Sequence, residues 1–153
     1  MRNNLCKSMT VISIIFIPIL FCCVSTQEKQ SESRDATAYY NQGRAYGQKG
    51  QYDQAISDYS KAIEIDPKFA TAYNNRGIAY RQKGQYDQAI SDYNKALEIN
   101  STDAWAYSSR GVAYYSKKEY DKSWEDIKKA QNLGYQFPSK FLEELRKASG
   151  RQN

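Results

Sequence analysis

The chain of 153 residues contains no histidine, and its three cysteines, Cys6, Cys22 and Cys23, all lie near the amino terminus. Everything after Val24 therefore lacks imidazole and thiol groups, which removes the commonest general base, the commonest soft metal ligands and any disulfide. The sequence also lacks a glycine-rich phosphate loop and a recognised nucleophile motif. We therefore predict that this protein is not an enzyme and has no catalytic residue, no metal and no cofactor.

The sequence has little excess charge of either sign, with 22 basic and 17 acidic residues and a net charge of +5. Residues 36–69 and 70–103 are each neutral, whereas residues 104–137 and 138–153 each carry two more basic than acidic residues. A nucleic-acid surface normally shows a denser basic patch. We therefore predict no nucleic-acid partner.

A hydrophobic run long enough to span a membrane is also missing. The longest run, Met9–Val24, is interrupted by Pro18, and a spanning helix needs about 20 apolar residues. Because Arg2 and Lys7 precede this run, residues 1–26 are predicted to be an export signal. The polar residues 27–35 are predicted to form a flexible tether.

The sequence at the end of the apolar run is compatible with three kinds of processing. Cleavage after Ser25 is one, and an uncleaved anchor is another. The third is a lipid on Cys23, since residues 20–23 resemble a degenerate bacterial lipobox, from which Phe21 and Cys22 depart. We predict an exported protein, which in a bacterium would lie in the periplasm or at an envelope membrane and would contact the membrane only through its N-terminal segment.

What the sequence does contain is an internal repeat. Gly43, Gly77 and Gly111 are 34 residues apart, and they divide the chain into three units, residues 36–69, 70–103 and 104–137. The first two units share 24 of 34 residues, and the second and third share 13. A fixed period of this length is typical of a repeat solenoid.

Each unit is predicted to fold as helix, turn, helix. In the first unit Tyr39, Gly43 and Tyr46 fall on one side of a helix, a turn follows at residues 49–51, and Pro67 ends a second amphipathic run. Glycine inside a helix costs about 1 kcal/mol relative to alanine. We therefore expect the second helix to approach closely at these glycines, with Ala55, Ala89 and Ser123 facing them.

The pattern resembles the tetratricopeptide repeat (TPR). The family's characteristic positions appear in the first unit as Tyr39, Gly43, Tyr46, Ala55, Tyr59, Ala62 and Pro67. This resemblance implies an all-α, right-handed solenoid of antiparallel helix pairs with three repeats. After Pro138 the apolar residues Phe141, Leu142, Leu145 and Ala148 predict a capping helix and tail over residues 138–153.

In the family that the chain resembles, the first helices line a concave surface that commonly holds a ligand. A helical stripe opposite the buried one supplies most of the candidate partner-binding residues, which are Tyr40, Arg44, Gln48, Asn74, Asn75, Arg81, Trp105 and Tyr115. Arginine suits a carboxylate, and the large aromatic residues suit apolar contact. Arg76 and Arg110 are predicted to be structural, and Asp53, Asp58, Asp87 and Asp92 to lie on a solvated outer face.

One subfamily grips acidic chaperone tails with a five-residue carboxylate clamp. The corresponding residues here are Tyr40, Arg44, Asn75, Trp105 and Ser109, of which only Asn75 matches in type. The clamp function is therefore not carried over to this chain.

These observations predict a small protein-protein interaction adaptor in a bacterial cell envelope. A peptide or helix of another protein would bind noncovalently in the concave groove. Because three repeats lie near the minimum for independent stability, self-assembly into a homo-oligomer by end-to-end packing of solenoids is the alternative.

Overall fold

A computed structural model describes residues 36–151, so the predicted leader over residues 1–26, its Cys23 and the tether over residues 27–35 lie outside the described residues. Seven helices make up the described part of the chain: α1 (36–48), α2 (Tyr52–Ile65), α3 (Ala70–Gln82), α4 (Tyr86–Ile99), α5 (Ala104–Ser116), α6 (Tyr120–Asn132) and α7 (Ser139–Ser149). Between residues 36 and 151 there is no strand. Within the same range no helix is long and apolar enough to cross a membrane.

The core runs continuously along the helices. Each helix from α2 to α6 packs on the next one, and α3 also contacts α5. Buried clusters join the second helix of one unit to the first helix of the next, as where Ala55 and Tyr59 of α2 meet Ala79 of α3. The same arrangement recurs where Ala89 and Tyr93 of α4 meet Ala113 of α5. The predicted all-α solenoid is confirmed.

The helices of a unit approach closely at the repeated glycine. A Cβ atom added to Gly43 would lie 2.8 Å from ring carbons of Tyr59 and 3.2 Å from the carbonyl oxygen of Ala55. At Gly77 the Tyr93 ring would be 2.7 Å away. The predicted contact is therefore present, but the aromatic side chain of the second helix supplies most of it, and Ala55 contributes its backbone.

Two arginines each join three helices. From α3, the Nε and Nη2 atoms of Arg76 donate to the two carboxylate oxygens of Asp92 in α4, at 2.8 and 2.7 Å, and its Nη1 donates to Ser60 Oγ in α2 at 2.9 Å. Arg110 of α5 repeats the pattern with Asp126 of α6 and Asn94 of α4. The hydrogen bond to Asp92 raises the pKa of Arg76. The structural role predicted for both arginines fits these contacts.

The aspartates of the second helices divide into two sets. Asp53 and Asp87 are exposed, and they pair with Lys83 and Lys117 of the following unit. Asp58 and Asp92 are only 5% exposed, so the prediction that they lie on a solvated face was wrong. Asp92 binds Arg76 of the first helix α3, and Asp58 Oδ1 lies 3.7 Å from Lys61 Nζ of its own helix.

The last helix closes the carboxyl-terminal end of the solenoid, as the apolar stripe predicted. Leu145 of α7 is fully buried. The indole Nε1 of Trp124 in α6 donates to Ser149 Oγ at 3.1 Å, and Arg151 pairs with Asp121 at 2.6 Å. These contacts hold the last helix against α6, so that α7 covers the outer side of the third unit.

The two glycines inside α1 offer a matched test of the close approach. Gly43→Ala should destabilise the protein by about 1 to 3 kcal/mol, because the added methyl group overlaps the Tyr59 ring. Gly47→Ala should instead stabilise it by about 0.5 to 1 kcal/mol, since there the added Cβ would lie 3.7 Å from Tyr59 Oη, an ordinary contact. Urea unfolding of the full chain followed by circular dichroism measures both, and equal effects would contradict the explanation.

The first unit lacks the arginine that holds the aspartate in the other two. Among the described residues Asp58 Oδ2 has no hydrogen-bond partner, and Gln42 stands where the other units have Arg76 and Arg110. Gln42→Arg should therefore stabilise the protein by about 1 to 3 kcal/mol by supplying a charged, two-pronged partner. The same unfolding measurement checks this.

Gln42→Lys is the control for that substitution, because lysine brings the charge without the planar fork and should stabilise less. Equal gains from the two variants would show that general electrostatics, and not the paired geometry, is responsible. No gain from Gln42→Arg would show that Asp58 is already satisfied.

Candidate functional site

A cavity of about 260 Å³ opens between the first helices of the first two units. Its walls come from α1, α2 and α3, and its lining residues are Arg44, Gly47, Gln48, Tyr52, Tyr59, Asn75, Ile78, Ala79 and Gln82. The ring of Tyr59 with Ile78 and Ala79 makes an apolar part, and the guanidinium and three amides make a polar part. Arg44 is the charged residue of this lining, so the cavity has a positive character.

Three of the predicted partner-binding residues meet at this cavity. Arg44, Gln48 and Asn75 all line it, and the first two are exposed. Tyr40 lies beside them, since its hydroxyl accepts a hydrogen bond of 2.9 Å from Asn75 Nδ2. The guanidinium carbon of Arg44 is 5.8 Å from the centre of the Tyr40 ring. Tyr40 therefore helps to position both a cation and an amide at the cavity.

Tyr40 is itself fixed by aromatic contacts. Its ring is half-buried, 4.9 Å from the ring of Phe69 and 5.9 Å from that of Tyr59. Tyr40 therefore serves as a support of the cavity more than as a free contact surface.

Asn74 does not belong to the exposed surface. It is only 2% exposed, so the expectation that this residue faces a partner was wrong. Tyr40 holds the same place in the first unit, and its bond to Asn75 shows that this side of a first helix faces the first helix of the next unit. The predicted stripe treated each helix as isolated. It therefore did not account for the packing of one first helix against the first helix of the next unit.

Arg81 lies one unit further along, next to a buried tyrosine. Burial raises the pKa of the Tyr93 hydroxyl to about 12, and the charge of the nearby Arg81 opposes this rise. The first unit has a comparable arrangement, in which burial and Tyr40 raise the pKa of Tyr59 to about 12 against the opposing effect of Arg44. Both arginines thus lie close to tyrosine hydroxyls that remain neutral at ordinary pH.

The remaining two predicted residues belong to a continuous line of aromatic rings at the other end of the solenoid. Successive ring centres along this line are 4.7 to 5.9 Å apart, in the order Trp105, Tyr135, Phe137, Phe141, Tyr115 and Tyr120. Trp105 is 51% exposed, whereas Tyr115 is half-buried. The line therefore offers an apolar surface whose most accessible member is the indole.

The groups gathered at the cavity and along the aromatic line suit noncovalent binding. Within residues 36–151 no group of three or more His, Cys, Asp or Glu side chains is placed to hold a metal. A cationic cavity with amides at one end, and exposed aromatic rings at the other, suits noncovalent recognition of a carboxylate and an apolar group.

Sequence reasoning missed several members of the site. Tyr52 lines the cavity, while Tyr135 and Phe137 extend the aromatic line. Gly47 and Gln82, which also line the cavity, lie on the predicted helical stripe but were not selected as partner-binding residues. One signal could have revealed Gly47, namely that the matching residues of the other units are the large Arg81 and Tyr115. The two aromatic residues lie in the connection between α6 and α7, where helical periodicity carries no information.

Comparison with known proteins agrees with the repeat pattern. A family model for the TPR repeat matches residues 43–81 and 79–118. The nuclear autoantigenic sperm protein of Oryctolagus cuniculus is 43% identical over 49 residues, which are 30% of this chain and 7% of that protein. This chain therefore spans only a small part of the length of the curated relatives that it matches.

Solved structures match over much more of the chain. The first TPR of Spaghetti (RPAP3), bound to the HSP90 peptide SRMEEVD, is 31% identical with a TM-score of 0.71, covering 77% of this chain and 93% of that one. The TPR2B domain of yeast Sti1, in a complex with pHsp70, is 26% identical with a TM-score of 0.69, covering 78% and 99%. The likeness therefore extends through all three units.

The raised tyrosine pKa values predict a loss of stability at alkaline pH. The unfolded chain releases tyrosine protons near pH 10, whereas Tyr59 and Tyr93 hold theirs to about pH 12 when folded. Their contribution is therefore fully present below pH 10 and is lost as the pH rises from about 10 to 12. Urea unfolding between pH 9 and 12 should show a shallower decline for Tyr93→Phe than for the native chain, and identical slopes would contradict this.

Proposed function

Because this chain belongs to the tetratricopeptide repeat family, we propose that its three repeats bind an extended segment of a partner protein in the groove formed by α1, α3 and α5. One observation carries this proposal: Arg44, Gln48 and Asn75, from two neighbouring first helices, converge on a single open cavity. Side chains from separate repeats that meet at one accessible cavity are suited to a ligand that crosses the repeats.

The chemistry of the groove specifies an acidic segment. Arg44 and Arg81 come from neighbouring units, and each guanidinium can hold a carboxylate with two hydrogen bonds. The amides of Gln48, Asn75 and Gln82 supply donors and acceptors for a peptide backbone. The aromatic line that begins at Trp105 then offers an apolar contact further along the same segment.

The proposed ligand differs from the chaperone peptide held by one of the solved relatives. That relative binds the HSP90 peptide SRMEEVD. In this chain Tyr40 and Trp105 do not match the carboxylate clamp, and the one matching residue, Asn75, donates its amide to Tyr40. We therefore assign to this groove an acidic partner other than a clamp-bound chaperone tail.

We also propose that the protein acts outside the cytoplasm. The basic residues Arg2 and Lys7 followed by the apolar run Met9–Val24 support export, and Cys23 is the candidate for lipidation. The polar residues 27–35 would then separate the repeats from the membrane. The protein would act as an adaptor at the cell envelope.

End-to-end assembly is the weaker alternative. Stacking of solenoids needs an open face at both ends, and α7 covers the outer side of the third unit. Trp124 and Asp121 of α6 are bonded to Ser149 and Arg151 at that end. A second copy would have to displace these contacts, so the arrangement favours the adaptor.

Selection from an octapeptide library tests the groove. Peptides that bind the full chain should be rich in Asp and Glu, and a variant with Arg44, Arg81 and Trp105 changed to alanine should bind them at least about tenfold more weakly. Fluorescence anisotropy with the selected peptides measures this ratio, and circular dichroism checks that the variant folds.

Lys68→Ala with Lys95→Ala is the matched control, because it removes the same charge from exposed positions outside the cavity and the aromatic line. It should bind like the native chain. If the groove variant binds the peptides as well as the native chain does, the groove assignment is wrong. If the control weakens binding as much as the groove variant does, the effect comes from net charge alone.

A further inference from the structure

The cavity beside Arg44 exists because one side chain is missing. Gly47 occupies the place that Arg81 holds in the second unit and Tyr115 in the third. In those units a side chain occupies the corresponding place: Arg81 lies near the Tyr93 hydroxyl, and the Tyr115 ring is 5.9 Å from that of Tyr120. In the first unit the cavity lies at this place.

Packing does not require this glycine. A Cβ at Gly47 would lie 3.7 Å from Tyr59 Oη, whereas one at Gly43, a single turn earlier, would overlap the Tyr59 ring at 2.8 Å. The backbone does not require it either, because Gly47 lies inside α1 and is not among the residues with a positive φ. Glycine in a helix nevertheless costs about 1 kcal/mol relative to alanine. Neither packing nor backbone geometry therefore accounts for Gly47, and its distinctive effect is the space that it leaves open.

The differences between the first two units concentrate on the groove. Their first helices, α1 and α3, differ at four places, Tyr40/Asn74, Gln42/Arg76, Arg44/Ile78 and Gly47/Arg81. Three of these four pairs hold a residue that lines the cavity or directly contacts its lining. The first helices of the two units thus share most of their residues, and the differences between them concentrate at the cavity.

The size and lining of the cavity define what it can take. A cavity of about 150 Å³ holds a benzene molecule, and this one measures about 260 Å³. The Tyr59 ring, Ile78 and Ala79 form its apolar part, and Arg44 stands at its edge. The Tyr59 hydroxyl is neutral at ordinary pH, as any tyrosine is, and burial raises its pKa further, to about 12, so it does not repel an anion.

Resting on the proposed function, we propose that this cavity is a specificity pocket for one large apolar side chain of the bound segment, with Arg44 pairing a carboxylate next to it. The aromatic ring or branched aliphatic group lies against Tyr59, Ile78 and Ala79. The neighbouring acidic group of the ligand stays at the edge of the cavity. The pocket thus selects segments in which an acidic residue adjoins a bulky apolar one.

The probe 4-fluorophenylacetate carries both features and can be followed directly by fluorine NMR. It should bind the full chain saturably, in the millimolar range expected of a fragment of this size. Gly47→Tyr, which gives the first unit the residue of the third, should weaken binding at least about tenfold by filling the cavity. Gly47→Ala should weaken it less.

Asn41→Tyr is the matched control, since it adds the same side chain to an exposed place on α1 outside the cavity lining, and it should leave binding unchanged. Arg44→Gln should weaken 4-fluorophenylacetate but not the uncharged 4-fluorobenzyl alcohol. Circular dichroism confirms the helix content of each variant.

Two results would overturn the pocket: no saturable binding to the native chain, or equal binding by Gly47→Tyr. Octapeptides selected from the library separate this failure from failure of the groove. If they bind through Arg44 and Arg81 but tolerate Gly47→Tyr, the groove function stands and the pocket falls. If fragment binding depends on Gly47 but no peptide depends on the arginines, the cavity binds an apolar acid, but the groove function falls and with it the role of the cavity in selecting a segment.

Discussion

The close contact between the two helices of a unit, at Gly43, Gly77 and Gly111, sets the geometry on which the rest of the structure depends. Because no side chain separates the helices there, the ring of Tyr59 or Tyr93 lies directly against the backbone of the first helix. The same tyrosines belong to the clusters that hold the next unit. One contact therefore determines both the shape of a unit and the surface on which the following unit stacks.

The arginines add a second constraint with a different character. Apolar packing fixes how near the helices lie but tolerates sliding, whereas the paired hydrogen bonds of Arg76 and Arg110 to carboxylates require one orientation. Each also reaches the second helix of the preceding unit, at Ser60 or Asn94. Two of the three first helices that form the groove, α3 and α5, are thereby held in fixed positions, so that the proposed ligand would meet a surface already arranged over these two helices.

The sequence predicted the repeated features of this molecule and missed the local ones. Period and glycine spacing predicted the helix pairs because every unit satisfies the same packing requirement, and Arg44, Gln48 and Asn75 were found because they lie on the groove side of their helices. Asn74, Asp58 and Asp92 were misplaced, since a helix considered alone cannot show which sides its neighbours cover. The sequence shows that Gly47 stands where the other units have large residues, but the cavity beside it is visible only in the structure. Tyr135 and Phe137 depend on the path of a connection that has no periodicity.

Near-identical repeats create a problem of alignment for any extended ligand. Since α1 and α3 share most of their residues, a segment with a recurring pattern would find two similar places to bind, displaced from each other by one repeat. Gly47 and Arg81 make these places unequal, because a cavity lies beside the glycine and the other place carries an arginine side chain. Together with the change from Arg44 to Ile78, this difference would determine where along the solenoid the proposed ligand begins. It would give a direction to a surface that exact duplication would have left with two equivalent places.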